Sequence, residues 1–281
     1  MGTQFDADTA VTRLDDGRFE AVMARRWWVI LGPNGGYVAA VILRALTEAV
    51  DDPDRVPRSL TVHYTSPPTE GPVTIATALE RRGRSLTSCS ARMEQDGRLV
   101  ALTLAAFSTP RESVELCDVT MPDVPPPELF VADGPSRDAP PIAHCFDYRF
   151  AIGRPPWLDE PPMSRAVVGG WFRLAEPRVV DALLAAAMTD GWPAAVFGRT
   201  PEPVYVPTVD LTIHFRAALP YPDARLDDFL LASFRTNVMA EGFLEEDGEI
   251  WSPDGVLLAQ SRQLAVIRPA LPTPAAPAST G

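Results

Sequence analysis

The chain has 281 residues, with Lys+Arg 25 and Asp+Glu 37, and a formal net charge of −12. Apolar residues make up 46% of it, enough for a substantial core, so wholesale disorder is excluded. Every cation is an arginine, which rules out a Schiff-base or P-loop lysine, and the acidic balance speaks against a nucleic-acid binder.

Met1 to Asp16 is polar and acidic and lacks the basic-then-apolar order of a secretory leader. No apolar run approaches the roughly 18 residues of a membrane span. Cys89, Cys117 and Cys145 are odd in number and widely spaced, with no C-x-x-C pair, which points to a reduced, cytoplasmic setting.

The first strong element is a helix, Gly35–Val50, with Asn34 as its cap; its apolar residues cover most of the circumference, so something has to enclose it. Strands follow at Ser59–Thr65, Val73–Arg81, Ser85–Gln95 and Leu99–Ser108, separated by Pro67-Pro68, Gly83 and Asp96-Gly97. Pro122 to Pro141 is proline-rich and aperiodic, an extended linker. Beyond it come strands Cys145–Ile152 and Ala166–Leu174, then a helix Arg178–Thr189. Strands Thr208–Ala217, Leu230–Ala240, Gly242–Glu246 and Val256–Ile267 complete the series, and the low-complexity end reads as a flexible tail.

The halves repeat one another. Leu60-Thr61-Val62-His63-Tyr64 returns as Leu211-Thr212-Ile213-His214-Phe215, and Asp96-Gly97-Arg98-Leu99-Val100-Ala101 as Asp254-Gly255-Val256-Leu257-Leu258-Ala259. The offsets are 151 and 158, as an insertion between strands of the second copy would produce. One helix followed by antiparallel strands, twice over, predicts an α+β double hotdog. Its expected parts are an N-terminal domain 1–121, a linker 122–141, a C-terminal domain 142–268 and a tail 269–281.

Nucleotide loops, nucleophile elbows and zinc motifs are missing. His63 and His214 occupy equivalent strand positions, which favours a structural role; His144 reads as a surface residue and Cys89 as inert packing. Asp210 and His214 do not have the five-residue spacing of a hotdog hydratase pair.

Asn34-Gly35-Gly36-Tyr37, Arg82-Gly83-Arg84-Ser85, Ser90-Ala91-Arg92-Met93 and Ala105-Ala106-Phe107 are similar to the N-terminal hotdog of the acyl-CoA thioesterase II family. Ala186-Ala187-Met188-Thr189-Asp190, Pro207-Thr208-Val209-Asp210 and Ala259-Gln260-Ser261-Arg262-Gln263 resemble its C-terminal hotdog, and the likeness runs over roughly residues 20 to 268. It implies hydrolysis of fatty acyl-CoA thioesters, without cofactor or metal, by a water held between an Asp, a Thr or Ser, and a Gln.

Carried over by motif, these are Asp190, Thr208 and Gln263, with Gln260 as the competing glutamine. Burial between helix and sheet would have to raise the basicity of Asp190. Gly35, Gly36 and Tyr37, at a helix start, are candidates for the substrate carbonyl, and Arg82 and Arg84 for the phosphates of CoA. Family likeness also allows a homo-oligomer. A non-catalytic acyl-CoA or acyl-carrier binding protein and an enoyl-CoA hydratase are the rival functions.

Overall fold

In a computed structural model, residues 2–130, 134–158, 160–200 and 204–269 are described. The first half consists of α1 (Gln4–Asp8), β1 (Thr12–Asp15), β2 (Arg18–Met23), α2 (Gly35–Val50), β3 (Val56–Tyr64), β4 (Gly71–Arg82), β5 (Leu86–Gln95) and β6 (Arg98–Ser108). The second half opens with β7 (Phe146–Ile152), β8 (Ala166–Leu174), α3 (Ala182–Met188), β9 (Val204–Tyr205) and β10 (Thr208–Phe215). It continues through β11 (Leu230–Thr236), β12 (Met239–Ala240), β13 (Phe243–Trp251), β14 (Leu257–Val266) and β15 (Arg268–Pro269).

Thirteen strands form one sheet in the order β1-β2-β4-β5-β6-β3-β10-β14-β13-β11-β8-β7, with β12 attached to β13. The repeated pentamers meet at its centre. Strands β3 and β10 pair antiparallel, and Thr61 lies opposite Thr212, its own counterpart in the repeat, with the two hydroxyls 3.1 Å apart. The duplication is thus a local twofold through this pair, and the chain is two tandem hotdogs sharing a sheet.

Helix α2 is enclosed as its sequence demands, with every residue from Gly36 to Leu43 buried. Asn34 starts it by accepting from Tyr37 N–H at 2.9 Å, and Asp51 ends it in the left-handed conformation. Its partner α3 begins later than the expected Arg178. The Arg178 guanidinium is held by Asp6 at 2.8 Å and Asp181 at 2.7 Å, and Asp181 caps the helix by accepting from Leu184 N–H. A long-range ion pair, invisible to local periodicity, sets that boundary.

Other boundaries moved for comparable reasons. The expected strand Gly242–Glu246 runs on to Trp251. Asp247-Gly248 looks like a turn, but Gly248 is where Phe234 and Ser261 cross, and a Cβ there would collide with Ser261 Oγ and the Phe234 ring. The expected strand Leu230–Ala240 breaks after Thr236, where the Glu245 carboxylate takes the N–H groups of Asn237 and Val238. The β1–β2 hairpin was not anticipated, although Phe19, Ala21 and Met23 alternate toward the core.

The proline-rich connection is extended and also packed. Met121, Val124 and Phe130 lie against Trp171, Leu231 and Trp251, and Pro125 C=O accepts from the Trp171 indole at 2.8 Å. Of the expected tail, Pro269 pairs with Val204 and residues 270–281 lie outside the described part.

Candidate active site

Helix α3 stops at Met188, and the chain turns through Thr189 into Asp190. Counted from the two caps, Asp190 corresponds to Leu43, where α2 continues as buried helix. Early termination is what frees a carboxylate at this depth. It meets the first turn of α2 from the other half: Gly36 N–H donates to Asp190 Oδ2 at 3.1 Å, and Asn34 Nδ2 donates to the same oxygen at 2.9 Å and to Asp190 C=O at 2.6 Å. The helices touch here because Gly35 and Gly36 have no side chains. A Cβ on Gly36 would come within 2.5 Å of Ala187 C=O, and one on Gly35 within 3.0 Å of Asp190 Oδ2.

Burial pushes Asp190 up to about 6, against the N–H groups of Gly36 and Gly35 and the side-chain amides of Gln263 and Asn34, which favour its charged form. The result is a carboxylate ionised at neutral pH yet far more basic than a surface aspartate. Tyr64, half-buried, donates to Gly35 C=O at 2.7 Å and is raised well above the usual phenol range by desolvation and by the charges of Asp190 and Asp210.

Thr208 reaches the inside of the sheet through a β-bulge. Register slips between Thr208 and Asp210, so Thr208 stands opposite buried Ala265 while Asp210 pairs with Leu264. Its hydroxyl donates to Gln263 Oε1 at 2.8 Å. Gln263 is buried on β14, whereas Gln260 accepts from Arg216 at 2.8 Å, so only one of the two glutamines faces Thr208.

Glu246 was not anticipated from the sequence. It lies opposite Gln263 on β13, 4% exposed, and its Oε1 accepts from Gln263 Nε2 at 2.9 Å while Oε2 accepts from Ala195 N–H at 2.6 Å. Burial, then the charge of Asp190, pushes it up to about 7, with Ala195 N–H pulling the other way. The signal was present as an acid in phase with Leu244 and Ile250 on the apolar face of the strand.

Asp190, Thr208, Gln263 and Glu246 line one cavity of about 470 Å³, whose apolar wall includes Leu31, Val38, Trp192 and Phe197. Gly35 lines it as well. The other candidates lie elsewhere. Tyr37 is fully buried, with its hydroxyl donating to Asp8 C=O at 2.8 Å; its N–H is spent on Asn34, and that of Gly36 on Asp190. These N–H groups therefore hold the cap and the carboxylate and are not free for a substrate carbonyl.

Arg82 donates to Val50 C=O and Asp52 at the other end of α2, about 24 Å along at 1.5 Å per residue, and Arg84 lies in the adjoining turn. Neither lines the cavity, because the β4–β5 turn packs at the C-terminal end of the helix; Arg268 is the arginine that does. His63 and His214 are exposed on the sheet, and Cys89 is buried, its thiol pushed up to about 12 by burial. No group of three or more His, Cys, Asp or Glu is placed to hold a metal ion among the described residues.

Among the described residues, the first half has no second copy of the site. The repeat offsets put Pro57 and Ala105 at the positions of Thr208 and Gln263, and Cys89 pairs with Ala105 as Glu246 pairs with Gln263.

Comparison with known proteins agrees with the architecture. Residues 24–108 match the model of the acyl-CoA thioesterase N-terminal domain, and residues 121–267 that of the C-terminal domain. A hot dog fold protein of unknown function from Alicyclobacillus acidocaldarius is 28% identical over 96% of this chain and 100% of that one, with a TM-score of 0.85. A protein assigned as thioesterase II from Thermobifida fusca YX is 24% identical over 95% and 98%, with a TM-score of 0.82. An acyl-CoA thioesterase II from Mycobacterium marinum is 22% identical over 95% and 98%, with a TM-score of 0.74. A search of curated proteins finds no match. With both domain models matched in tandem across most of its length, the chain belongs to the acyl-CoA thioesterase family.

Proposed function

We propose that this protein hydrolyses acyl-CoA thioesters to a free acid and CoA, with Asp190 as general base and the attacking water held by Thr208 and Gln263. The observation that carries the reading is the convergence on one cavity of a half-buried carboxylate, raised to about 6, with a Thr–Gln pair from two neighbouring strands.

In this reading the water oxygen bonds to the thioester carbon while its proton passes to Asp190. The tetrahedral adduct then collapses, the C–S bond breaks, and the proton goes to the departing sulfur. A positioned base of suitable pKa contributes about 10²–10⁴-fold, and holding the water in place adds an entropic advantage. The first turn of α2 orients Asp190 and favours its anion. The acyl group lies against Leu31, Val38, Trp192 and Phe197, where each buried methylene contributes about 0.8 kcal/mol.

The test is release of free thiol from a panel of acyl-CoAs of increasing chain length. Turnover is expected for at least one of them. Binding without turnover across the panel would instead make the protein an acyl-CoA binder, and loss of enoyl absorbance from a 2-enoyl-CoA would make it a hydratase.

A further inference from the structure

The hydrogen bonds beside Asp190 converge on Glu246 from two sides. Thr208 donates to Gln263 Oε1, Gln263 Nε2 donates to Glu246 Oε1, and Glu246 Oε2 accepts from Ala195 N–H. An ionised carboxylate only accepts, so Glu246 requires the nitrogen side of the Gln263 amide to face it. The amide oxygen then faces Thr208, and the single hydroxyl hydrogen of Thr208 is spent on it. What Thr208 offers the cavity is lone pairs. With the amide turned over, Nε2 would donate to Thr208, and the hydroxyl hydrogen would point into the cavity.

That difference decides how a water sits. Between two acceptors, Asp190 and Thr208, a water gives both hydrogens away and keeps its lone pairs for an electrophilic carbon. A hydroxyl donor at 208 would occupy one of those lone pairs.

We propose that Glu246 is a positioning residue that fixes the orientation of the Gln263 amide, so that Thr208 accepts a hydrogen bond from the attacking water; this rests on the hydrolytic reading of Asp190, Thr208 and Gln263. Other observations fit the role. Glu246 is buried and makes no ion pair among the described residues: the charged groups that act on it are Asp190, from the turn after α3, and Glu245 beside it on β13, both anionic. A buried acid so placed is costly unless its acceptor character is used. In the first half, where no Thr–Gln pair exists, the equivalent position is Cys89.

Two measurements on the full chain test the proposal. In amide NMR spectra, the Gln263 side-chain NH₂ pair, identified by its loss in Gln263→Ala, is expected to shift with a midpoint near 7 as Glu246 titrates. In Glu246→Gln that midpoint is expected to vanish. The same variant can present NH₂ to Gln263 while accepting from Ala195 N–H, which inverts the chain of bonds. Its kcat should fall by about tenfold or more, a part of the roughly 10²–10⁴-fold that a positioned base contributes, with KM little changed. Its pH–rate profile should lose the limb near 7.

A Gln263 signal that stays put between pH 5 and 9, or a natively melting Glu246→Gln variant with wild-type kcat, overturns the proposal. If Glu246→Gln fails to fold, the wild-type titration decides alone. Failure of the hydrolytic reading shows up separately, as no turnover of any acyl-CoA by the wild type.

Discussion

Asn34 and Asp190 lie in different halves of the chain, and one side-chain amide joins them, donating to the Asp190 carboxylate at 2.9 Å and to its backbone carbonyl at 2.6 Å. The oxygen of the same amide accepts from Tyr37 N–H at 2.9 Å. One side chain therefore starts the enclosed helix and fixes the carboxylate, so the site exists only when both copies of the fold are assembled. Asn34→Asp separates the two duties. Aspartate caps a helix about as well as asparagine, but it sets a like charge against Asp190 where two donors had been. The variant is expected to keep its helix content, with the acidic limb of its pH–rate profile moved to higher pH and kcat near neutrality reduced. A profile matching wild type would remove Asn34 from the surroundings of the base.

The two acids of the cavity also set the sign of stability against pH. Their folded-state values, about 6 for Asp190 and about 7 for Glu246, are raised above those of the unfolded chain. The native state thus holds more protons than the unfolded one across that window. The associated stability is fully present below the unfolded values and is lost as pH rises through 6 and 7. At about 1.4 kcal/mol per pK unit, the fold should be several kcal/mol less stable at pH 8 than at pH 4.5. Asp6 works the other way. Burial raises it, but Arg178 and Thr3 more than offset this and hold it near 2, so its contribution is lost only in strong acid. Asp190→Asn should therefore melt above wild type at pH 8, with the gap closing toward pH 4.5. Thermal melts at the two pH values check this.

Gly36 tests the contact between the helices. Glycine to alanine inside a helix normally gains roughly 1 kcal/mol. Here the added Cβ would sit 2.5 Å from Ala187 C=O and 3.0 Å from the Asp190 Cβ. Gly36→Ala is expected to lower the melting temperature and remove most of kcat, because Asp190 is pushed out of line. A stabilised variant with full activity would contradict the close approach.

Much of the fold was legible because it was written twice. The pentamers around Thr61 and Thr212 carry a strand pattern that locates the sheet centre, and the all-round apolarity of Gly35–Val50 identifies the enclosed helix. Features that depend on distant partners were not legible: the late start of α3 set by Arg178 and Asp6, the persistence of β13 through Asp247-Gly248, and the depth of Glu246. Asp190, Thr208 and Gln263 were found through family likeness. On local grounds Asp190 reads as a cap for the next helical turn, yet that turn, Ala195–Gly198, has Ala194 at its cap. Arg82 and Arg84 drew attention because they are clustered charges, and clustering says nothing about which end of α2 they occupy.

The central claim is that Asp190 takes the proton from the attacking water. Its most direct test is the pH dependence of kcat for acyl-CoA hydrolysis in wild type and Asp190→Asn, with folding verified by circular dichroism. Wild-type activity should rise through two limbs, one near 6 from Asp190 and one near 7 from Glu246, and the limb near 6 should be absent in Asp190→Asn. The variant should bind acyl-CoA with little change and lose about 10²-fold or more in kcat, the range of a general base, at every pH. Turnover by Asp190→Asn within a factor of about two of wild type, a difference of under 1 kcal/mol in barrier, would contradict the account.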